Sequence, residues 1–204
     1  MIDVEYVVWD FDGVLNRNVV DGRFVWQDDL EQDTGQSPDA FQKAVFTDVF
    51  GEIMRGRVDL LDHIAAWTDH VGYAPGAAAF LEYWFARDAL PDERMVMVME
   101  KLAAAGRRQV IATNNEPRRA SYIEHEMRFG QRVDRIFSSG RMGCAKPDEE
   151  FFETVREALG VAPEQLILVD DSAANVAVAK ALGWQAHLFR NLDYSGLEAR
   201  LGLR

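Results

Sequence analysis

Cysteine is almost absent from this sequence, since Cys144 is the only one among 204 residues. A single cysteine excludes an intramolecular disulfide framework and any zinc site built from several cysteines. It suits a reducing compartment, and the early acidic residues Asp3 and Glu5 do not resemble the apolar stretch of a signal peptide. We therefore expect a cytoplasmic protein.

Basic residues and long apolar runs are also scarce. The chain has 22 Lys and Arg against 34 Asp and Glu, a formal charge of −12, so no general attraction draws it to nucleic acid or anionic lipid. Its apolar runs are far shorter than the roughly 18 residues that span a bilayer. Because 48% of the residues are hydrophobic, we expect a globular protein that binds neither nucleic acid nor membranes. The sequence leaves a monomer and a homodimer both open.

Three short apolar runs predict strands of a parallel sheet, because strands buried on both faces are apolar throughout. They are Tyr6–Trp9, Val110–Ala112 and Leu166–Val169, and Arg135–Ser138 is predicted to be a further strand. Helical patterns at about 117–129 and 148–159 lie between the later runs. This alternation predicts an α/β fold with an open, mainly parallel sheet.

Residues 16–91 interrupt the alternation with helical patterns. Apolar residues recur at three- and four-residue spacings within 59–67 and 79–85, as on amphipathic helices. Just before them, Asp21-Gly22 between apolar residues predicts a β-hairpin. We therefore predict a Rossmann-like core of residues 1–15 and 92–204, into which a flap and an all-helical cap at residues 16–91 are inserted.

Chemically active side chains stand where the predicted strands end. They are Asp10 and Asp12, Thr113 and Asn114, Asp170 and Asp171, with Lys146 in a loop. The carboxyl ends of parallel strands share one edge of a sheet, so we expect these groups to converge. Converging carboxylates repel unless a cation lies among them, and a hard ion such as Mg²⁺ suits oxygen ligands best. The lysine, the hydroxyl and helix N-terminal amides suit a phosphate, so the set indicates phosphoryl transfer to an aspartate or to water.

In order and spacing, the segments Asp10–Leu15, Thr113-Asn114, Lys146-Pro147 and Asp170–Asn175 resemble the four motifs of the haloacid dehalogenase (HAD) superfamily. The helical insertion after the first motif resembles the C1 cap of its subfamily I, which includes hydrolases similar to phosphoglycolate and sugar phosphatases. The resemblance spans the chain. It implies a Mg²⁺-dependent phosphatase that hydrolyses a small phosphorylated metabolite.

The resemblance also implies a role for each motif residue. Asp10 would be the nucleophile that carries an aspartyl-phosphate, and Asp12 would be the general acid and then the general base. Both would contact Mg²⁺, Asp12 through its backbone carbonyl. Thr113 and Asn114 would hold the phosphoryl oxygens, and Lys146 would neutralise charge on the nucleophile and the transferring group.

Some assignments stay open at this point. Asp171 would ligate Mg²⁺. Asp170 would either ligate the ion directly or contact a residue that does. Arg55 and Arg57 are candidates to clamp a substrate anion, because they flank Gly56 between two helical patterns of the cap. The aromatic residues of the cap either line a substrate pocket or form the core of the cap.

Other functions share most of these residues. A phosphomutase would use the same catalytic set but return the phosphoryl group to its substrate. A non-enzymatic module that binds a phosphorylated ligand is disfavoured, because a dead enzyme is expected to have lost at least one member of the set. A phosphonatase of the same cap class would need a Schiff-base lysine, and Lys43, the only lysine of the cap, is predicted to be a solvated helical side chain.

Overall fold

The computed structural model describes residues 4–20 and 22–203. Within these ranges the strands are β1 (Tyr6–Trp9), β2 (Val19–Val20), β3 (Arg23–Phe24), β4 (Arg108–Thr113), β5 (Arg135–Ser138), β6 (Leu166–Asp170) and β7 (Gln185–Leu188). Five of them form one sheet in the order β5-β4-β1-β6-β7, and every neighbouring pair is parallel. The predicted α/β fold with a mainly parallel sheet is confirmed.

The helices precede, separate and follow these strands. They are α1 (Leu30–Thr34), α2 (Pro38–Val45), α3 (Phe50–Met54), α4 (Leu60–Val71), α5 (Gly76–Arg87), α6 (Glu93–Ala104), α7 (Pro117–His125), α8 (Ser139–Met142), α9 (Glu149–Leu159), α10 (Ala173–Ala181) and α11 (Tyr194–Leu201). Among the described residues, no helix has the length and apolar composition needed to cross a membrane.

The sheet is covered on both faces, because successive residues of a strand point to opposite sides. On β1, Val7 and Trp9 belong to one buried cluster together with residues of α6, α7 and α11. Tyr6 and Val8 belong to another, with residues of α9 and α10. Each cluster removes a continuous apolar surface from water, which is the main favourable contribution to folding. The central position of β1 between these layers fixes the first motif in the middle of the sheet.

Two local predictions differ from the structure. The helix predicted at about 117–129 ends at His125, because the chain turns through Arg128, whose φ is +61°. The sequence pattern also missed β7, an edge strand whose Gln185 and His187 interrupt any apolar run. An edge strand is only partly buried, so it lacks the continuous apolar signal of the central ones.

The segment between β1 and α6 contains α1 to α5, which share one apolar cluster. This cluster is rich in aromatic rings, and Trp26 stacks on Trp84 with ring centroids 4.9 Å apart. The predicted hairpin is confirmed as the antiparallel pair β2–β3, although Asp21 of its turn lies outside the described residues.

The two connections between this helical segment and the sheet run beside each other. The backbone N–H of Arg17 donates to the carbonyl of Leu90 at 2.7 Å, and Asn16 forms an isolated β-bridge with Pro91. The division into a core and a cap at residues 15/16 and 91/92 stays a prediction.

Candidate active site

Three strands bring motif residues together at the carboxyl edge of the sheet. Trp9 of β1 pairs with Ile111 of β4 on one side and with Val169 of β6 on the other. Asp10 therefore lies beside Asp170, and Thr113 ends β4 one residue further along. This is the edge at which open α/β sheets bind their ligands.

A buried lysine joins two of the carboxylates. The Nζ atom of Lys146 lies 2.8 Å from Oδ1 of Asp10 and 2.7 Å from Oδ2 of Asp170. All three residues are buried, and Asp170 has no exposed surface. A buried charge is tolerated only when it is paired, so the ammonium group and the two carboxylates stabilise one another. The structure thus brings Lys146 from its loop into the centre of the site, as the sequence predicts.

The carboxylate of Asp170 has all its hydrogen-bonding capacity engaged within the protein. Its Oδ1 accepts from the backbone N–H of Ser172 at 2.8 Å and from Asn175 Nδ2 at 3.0 Å. Its Oδ2 accepts from Lys146 and from the same Asn175 amide. Asp170 is therefore held rigidly behind Asp10 and positions the lysine.

Asp171 differs from Asp170 in its exposure, since its side chain is only half-buried. Its carboxylate belongs, with those of Asp10 and Asp170, to a group whose oxygens all lie within 4.8 Å of one another. Gly13, with a φ of +79°, packs against this carboxylate so closely that a Cβ at that position would collide with it. Three carboxylates with no sulfur or imidazole ligand fit a hard divalent cation of the Mg²⁺ type.

Burial sets the titration of this cluster. It raises the pKa of Asp10 well above its ordinary value, which Lys146 opposes and Asp170 reinforces. Burial and the neighbouring Asp170 also raise the pKa of Asp171. Burial alone lowers the pKa of Lys146, but Asp10 and Asp170 outweigh it, so the net shift is upward and the ammonium group is retained. A divalent cation between the carboxylates would favour their ionised forms.

Asp12 points away from this cluster, toward the helical segment. Its Oδ1 accepts from Asn18 Nδ2 at 2.7 Å and from Asn16 Nδ2 at 3.2 Å. Its Oδ2 accepts from Asn115 Nδ2 at 2.9 Å. Three amide donors therefore fix one carboxylate at the junction of the sheet edge and the helical segment.

Behind Asp12 lies a buried ion pair that sequence reasoning missed. Asn18 Nδ2 also donates to Asp88 Oδ1 at 2.8 Å, and Arg119 Nη2 lies 3.0 Å from Asp88 Oδ2. Burial first, and then the charge of Asp12, raise the pKa of Asp88 to about 7. These residues carry no motif signal, because Asn16 and Asn18 begin the insertion and Asp88 ends it.

Thr113, the last residue of β4, and Asn114, which follows it, face different partners. Thr113 Oγ1 accepts from Asn115 Nδ2 at 2.8 Å within the site. The side chain of Asn114 instead binds the backbone of Lys146, donating to its carbonyl at 2.7 Å and accepting from its N–H at 2.9 Å. The predicted contact of Asn114 with phosphoryl oxygens stays a prediction, and its side chain already has a positioning role.

Arg55 and Arg57 each pair with a carboxylate of the protein. Arg55 pairs with Asp148 at 2.8 Å, a contact from the helical segment to the start of α9. Arg57 pairs with Glu52 of its own segment at 3.1 Å. Neither side chain lines the cavity next to Asp12. Their predicted role in binding a substrate anion is untested.

A cavity of about 500 Å³, counting its open mouth, lies between the helical segment and the sheet edge. Its floor consists of six polar residues, which are Asp12, Asp88, Asn114, Asn115, Glu116 and Arg119. Its walls consist of eight apolar residues of the helical segment, among them Phe24, Trp26, Phe46, Phe50, Met54 and Trp84. A wider cleft of about 1200 Å³, again counting its open mouth, is lined by Gly13 and Asp171 among others, and Asp12 does not line it.

The aromatic residues of the helical segment divide between the cavity next to Asp12 and the apolar core of the segment. Trp84 and Phe85 line the cavity next to Asp12. Trp67 is buried in the apolar cluster of the segment, and Tyr83 packs at its edge. Lys43 is exposed on α2 and lines a separate surface cleft.

Comparison with known proteins agrees with this geometry. Over 207 residues the chain is 26% identical to the phosphatase MT3486 of Mycobacterium tuberculosis, covering 96% of this chain and 90% of that protein. Over 195 residues it is 24% identical to the GMP/IMP nucleotidase YrfG of Escherichia coli, covering 89% of this chain and 80% of the relative. A 40% identical match to the drimenol cyclase drtB of Aspergillus calidoustus spans 60 residues, which are 29% of this chain and only 11% of that protein.

The fold is also found in solved structures. The HAD family enzyme bt-2542 of Bacteroides thetaiotaomicron, crystallised with magnesium and inorganic phosphate, superimposes with a TM-score of 0.77 at 19% identity. The match covers 95% of this chain and 98% of that one. A sequence model of the haloacid dehalogenase-like hydrolases matches residues 4–183. The chain therefore belongs to the haloacid dehalogenase-like hydrolase family.

Proposed function

We propose that this enzyme is a Mg²⁺-dependent phosphatase that hydrolyses a small phosphate monoester through an aspartyl-phosphate at Asp10. The observation that carries the proposal is the buried contact of Lys146 with Asp10 and Asp170 beside the half-buried Asp171. Such an arrangement combines a nucleophile, a fixed positive charge and cation ligands at one point.

Asp10 is well placed to attack phosphorus. Its Oδ1 accepts from Lys146 and, at 2.7 Å, from the backbone N–H of Phe11, which leaves Oδ2 to form the bond. As the Oδ2–phosphorus bond forms, the bond from phosphorus to the leaving oxygen breaks. Lys146 stabilises the negative charge of the transferring group because its ammonium is already held in place.

Mg²⁺ would be held by Asp10 and Asp171, with the backbone carbonyl of Asp12 as a further oxygen ligand. Asp170 is better suited to orient Lys146 than to ligate the ion, because both of its oxygens already accept hydrogen bonds. When bound, Mg²⁺ supplies charge neutralisation to the phosphoryl group.

Asp12 is the proposed general acid and base. It donates its proton to the leaving oxygen, and then accepts a proton from the water that attacks the phosphoenzyme. Inorganic phosphate leaves, and the Asp10 carboxylate is restored. Its position at the cavity floor, held by Asn16, Asn18 and Asn115, supports this role, because an alcohol portion bound in the cavity would face the carboxylate.

The helical segment would act as a cap that shields the reaction from bulk water. Two exposed ion pairs join its outer part to the core, Arg118 with Asp59 at 2.8 Å and Arg55 with Asp148 at 2.8 Å, in addition to the buried pair of Asp88 with Arg119. Ser139 Oγ also donates to the carbonyl of Met54 at 2.6 Å. Exposed ion pairs contribute little stability, so these two oppose an opening of the cap only weakly.

The comparisons support the same activity, since one relative is named a phosphatase, another a nucleotidase, and a structural neighbour holds magnesium and phosphate. Release of inorganic phosphate, rather than an isomerised substrate, separates this proposal from a phosphomutase. The cytoplasmic location and the monomeric or dimeric state stay predictions.

The test is turnover of p-nitrophenyl phosphate by the purified protein. We expect activity with Mg²⁺, its loss with a chelator, and a loss of at least about 10⁴-fold in Asp10→Asn. Mass spectrometry of the acid-quenched native enzyme should detect a phosphoryl group on the peptide that contains Asp10. Asp69→Asn, at an exposed position of α4, is the matched control with native activity. Full turnover without a divalent ion, or a folded Asp10→Asn protein with near-native activity, excludes the mechanism.

A further inference from the structure

The cavity above Asp12 has a sharp division between its floor and its walls. The walls come from the helical segment and are formed by apolar side chains alone. Four of them, Phe24, Phe46, Phe50 and Met54, are only partly buried, so the cavity leaves apolar surface uncovered. Apolar surface that lines a concave site is available for an apolar ligand.

Most polar side chains of the floor already hold hydrogen bonds within the protein. Arg119 donates to the carbonyls of Phe85 and Asp88, and it also pairs with the Asp88 carboxylate. The carboxylate of Glu116 accepts from the backbone N–H of Arg118 at 2.8 Å and from that of Arg119, both at the start of α7. The side chains of Asn114 and Asn115 also bond within the protein, to the Lys146 backbone and to Asp12 and Thr113. Asp12 is likewise held by amide donors, and it is the floor carboxylate to which the proposed function assigns proton transfer.

Two buried donors of the cavity residues have no hydrogen-bond partner, namely Trp26 Nε1 and Arg119 Nε. Both atoms have almost no exposed surface, so they offer nothing to a molecule inside the cavity. A sugar or nucleoside placed there would lose water from several hydroxyl groups without regaining hydrogen bonds. Each unsatisfied polar group costs free energy, whereas each buried methylene group is favourable.

We propose that the substrate of this enzyme is the monophosphate ester of an apolar alcohol, whose hydrocarbon portion occupies this cavity. The inference rests on the proposed phosphatase activity and adds the class of the leaving group. The phosphate lies at Asp10 and Lys146, the ester oxygen faces Asp12, and the hydrocarbon packs on Phe46, Phe50 and the other walls. After hydrolysis the alcohol carries the proton that Asp12 donates.

The experiment is a series of n-alkyl monophosphates from ethyl to octyl, with a purine nucleoside monophosphate and a hexose phosphate for comparison. These alkyl esters have similar leaving-group chemistry, so the slope of kcat/KM with chain length reports burial of hydrocarbon. We expect kcat/KM to rise by up to about fourfold for each buried methylene group. Octyl phosphate should therefore exceed ethyl phosphate by at least about 100-fold, and exceed both polar substrates.

Two wall variants locate the effect in this cavity. Phe50→Asn and Met54→Gln should each lower the ratio of kcat/KM between octyl and ethyl phosphate by about tenfold or more, and thermal melting verifies that they fold. Val49→Asn is the matched control, because Val49 precedes Phe50, is 42% exposed and does not line the cavity. It should keep the native ratio.

The outcomes separate the two proposals. Turnover that does not depend on alkyl length, or that is fastest with the nucleotide or the hexose phosphate, overturns the apolar substrate and leaves the phosphatase intact. A native ratio in both wall variants also overturns it. Absence of turnover on every ester, p-nitrophenyl phosphate included, rejects the phosphatase itself and the inference with it.

Discussion

The side chain of Asn114 holds the backbone of Lys146 through a pair of hydrogen bonds, one to its carbonyl and one from its N–H. The amide of Asn114 has the donor and the acceptor that such a pair needs. This pair of hydrogen bonds connects the end of β4 with the loop before α9, and so fixes the position of the Lys146 backbone relative to Asp10. Asn114 is thus a positioning residue for the lysine.

Asn114→Leu should lower kcat by about 10- to 100-fold, because a small displacement of the Lys146 ammonium removes charge stabilisation from the reacting group. Asn114→Asp keeps the acceptor for the Lys146 N–H but loses the donor, so its loss should be smaller. Steady-state kinetics, with inorganic phosphate as an inhibitor, give kcat, KM and the affinity for phosphate, and so distinguish a positioning role of Asn114 from a direct contact with phosphate. A loss confined to KM and to phosphate affinity would instead favour the direct phosphate contact that the motif implies.

Asp171 and Asp170 should respond differently to amide substitution. Asp171→Asn removes a proposed ligand and should raise the Mg²⁺ concentration for half-maximal stabilisation against heat by about 100-fold or more. Asp170→Asn should have a smaller effect on Mg²⁺ but lower the free energy of unfolding by about 1–3 kcal/mol, because it disturbs the buried contacts of Lys146. Thermal melts across a Mg²⁺ series test both. Equal loss of Mg²⁺-dependent stabilisation in the two variants would make Asp170 a direct ligand.

Asp12→Asn should affect poor leaving groups most. Alkyl phosphates need a proton on the departing oxygen, whereas nitrophenolate leaves without one, so the loss in kcat/KM should be about 10²- to 10⁴-fold for the former and smaller for the latter. Asn18→Ala, which removes one donor to Asp12, should show the same preference in weaker form. Losses that are identical for both ester types would argue against the acid role.

Asp88 should make stability depend on pH. Its pKa is raised to about 7 in the folded protein, so between about pH 4 and pH 7 the folded state keeps a proton that the unfolded chain has lost. The contribution of this residue to the free energy of unfolding therefore falls as the pH rises through that window, by an amount on the order of 4 kcal/mol.

Urea denaturation of the native protein and of Asp88→Asn at several pH values measures the contribution of Asp88 to the free energy of unfolding. The variant cannot ionise there, so the native protein should lose stability relative to it as the pH rises toward 7. Other titrating groups are common to both proteins and cancel in the difference. Parallel stability profiles would show that the Arg119 pair keeps Asp88 ionised throughout.

The fold and the meeting of the motif residues at one edge of the sheet were largely predictable because their signals are local. A central strand of a parallel sheet is apolar along its whole length, and the first polar residue marks its carboxyl end. Once β1, β4 and β6 are recognised, Asp10, Thr113 and Asp170 must meet. The edge strand β7 was not predicted, because a strand at the edge of a sheet is partly exposed to solvent and does not need a continuous apolar run.

The surroundings of Asp12 could not be predicted in this way. Asn18 and Asp88 are 70 residues apart and meet only because the two connections of the cap run side by side. Arg55 and Arg57 were chosen for their place in a loop, but the direction of a side chain depends on how helices pack, and in the structure both pair with nearby carboxylates.

By itself, the sequence determined a parallel α/β sheet with a helical insertion, and it determined which acids and which lysine meet at one edge, because strand periodicity and strand ends are encoded by neighbouring residues. Only the tertiary structure decided that Asn114 holds Lys146, that Asp88 and Arg119 stand behind Asp12, and that apolar walls surround the cavity. These features depend on contacts between distant segments, whose geometry is fixed when the cap packs on the core.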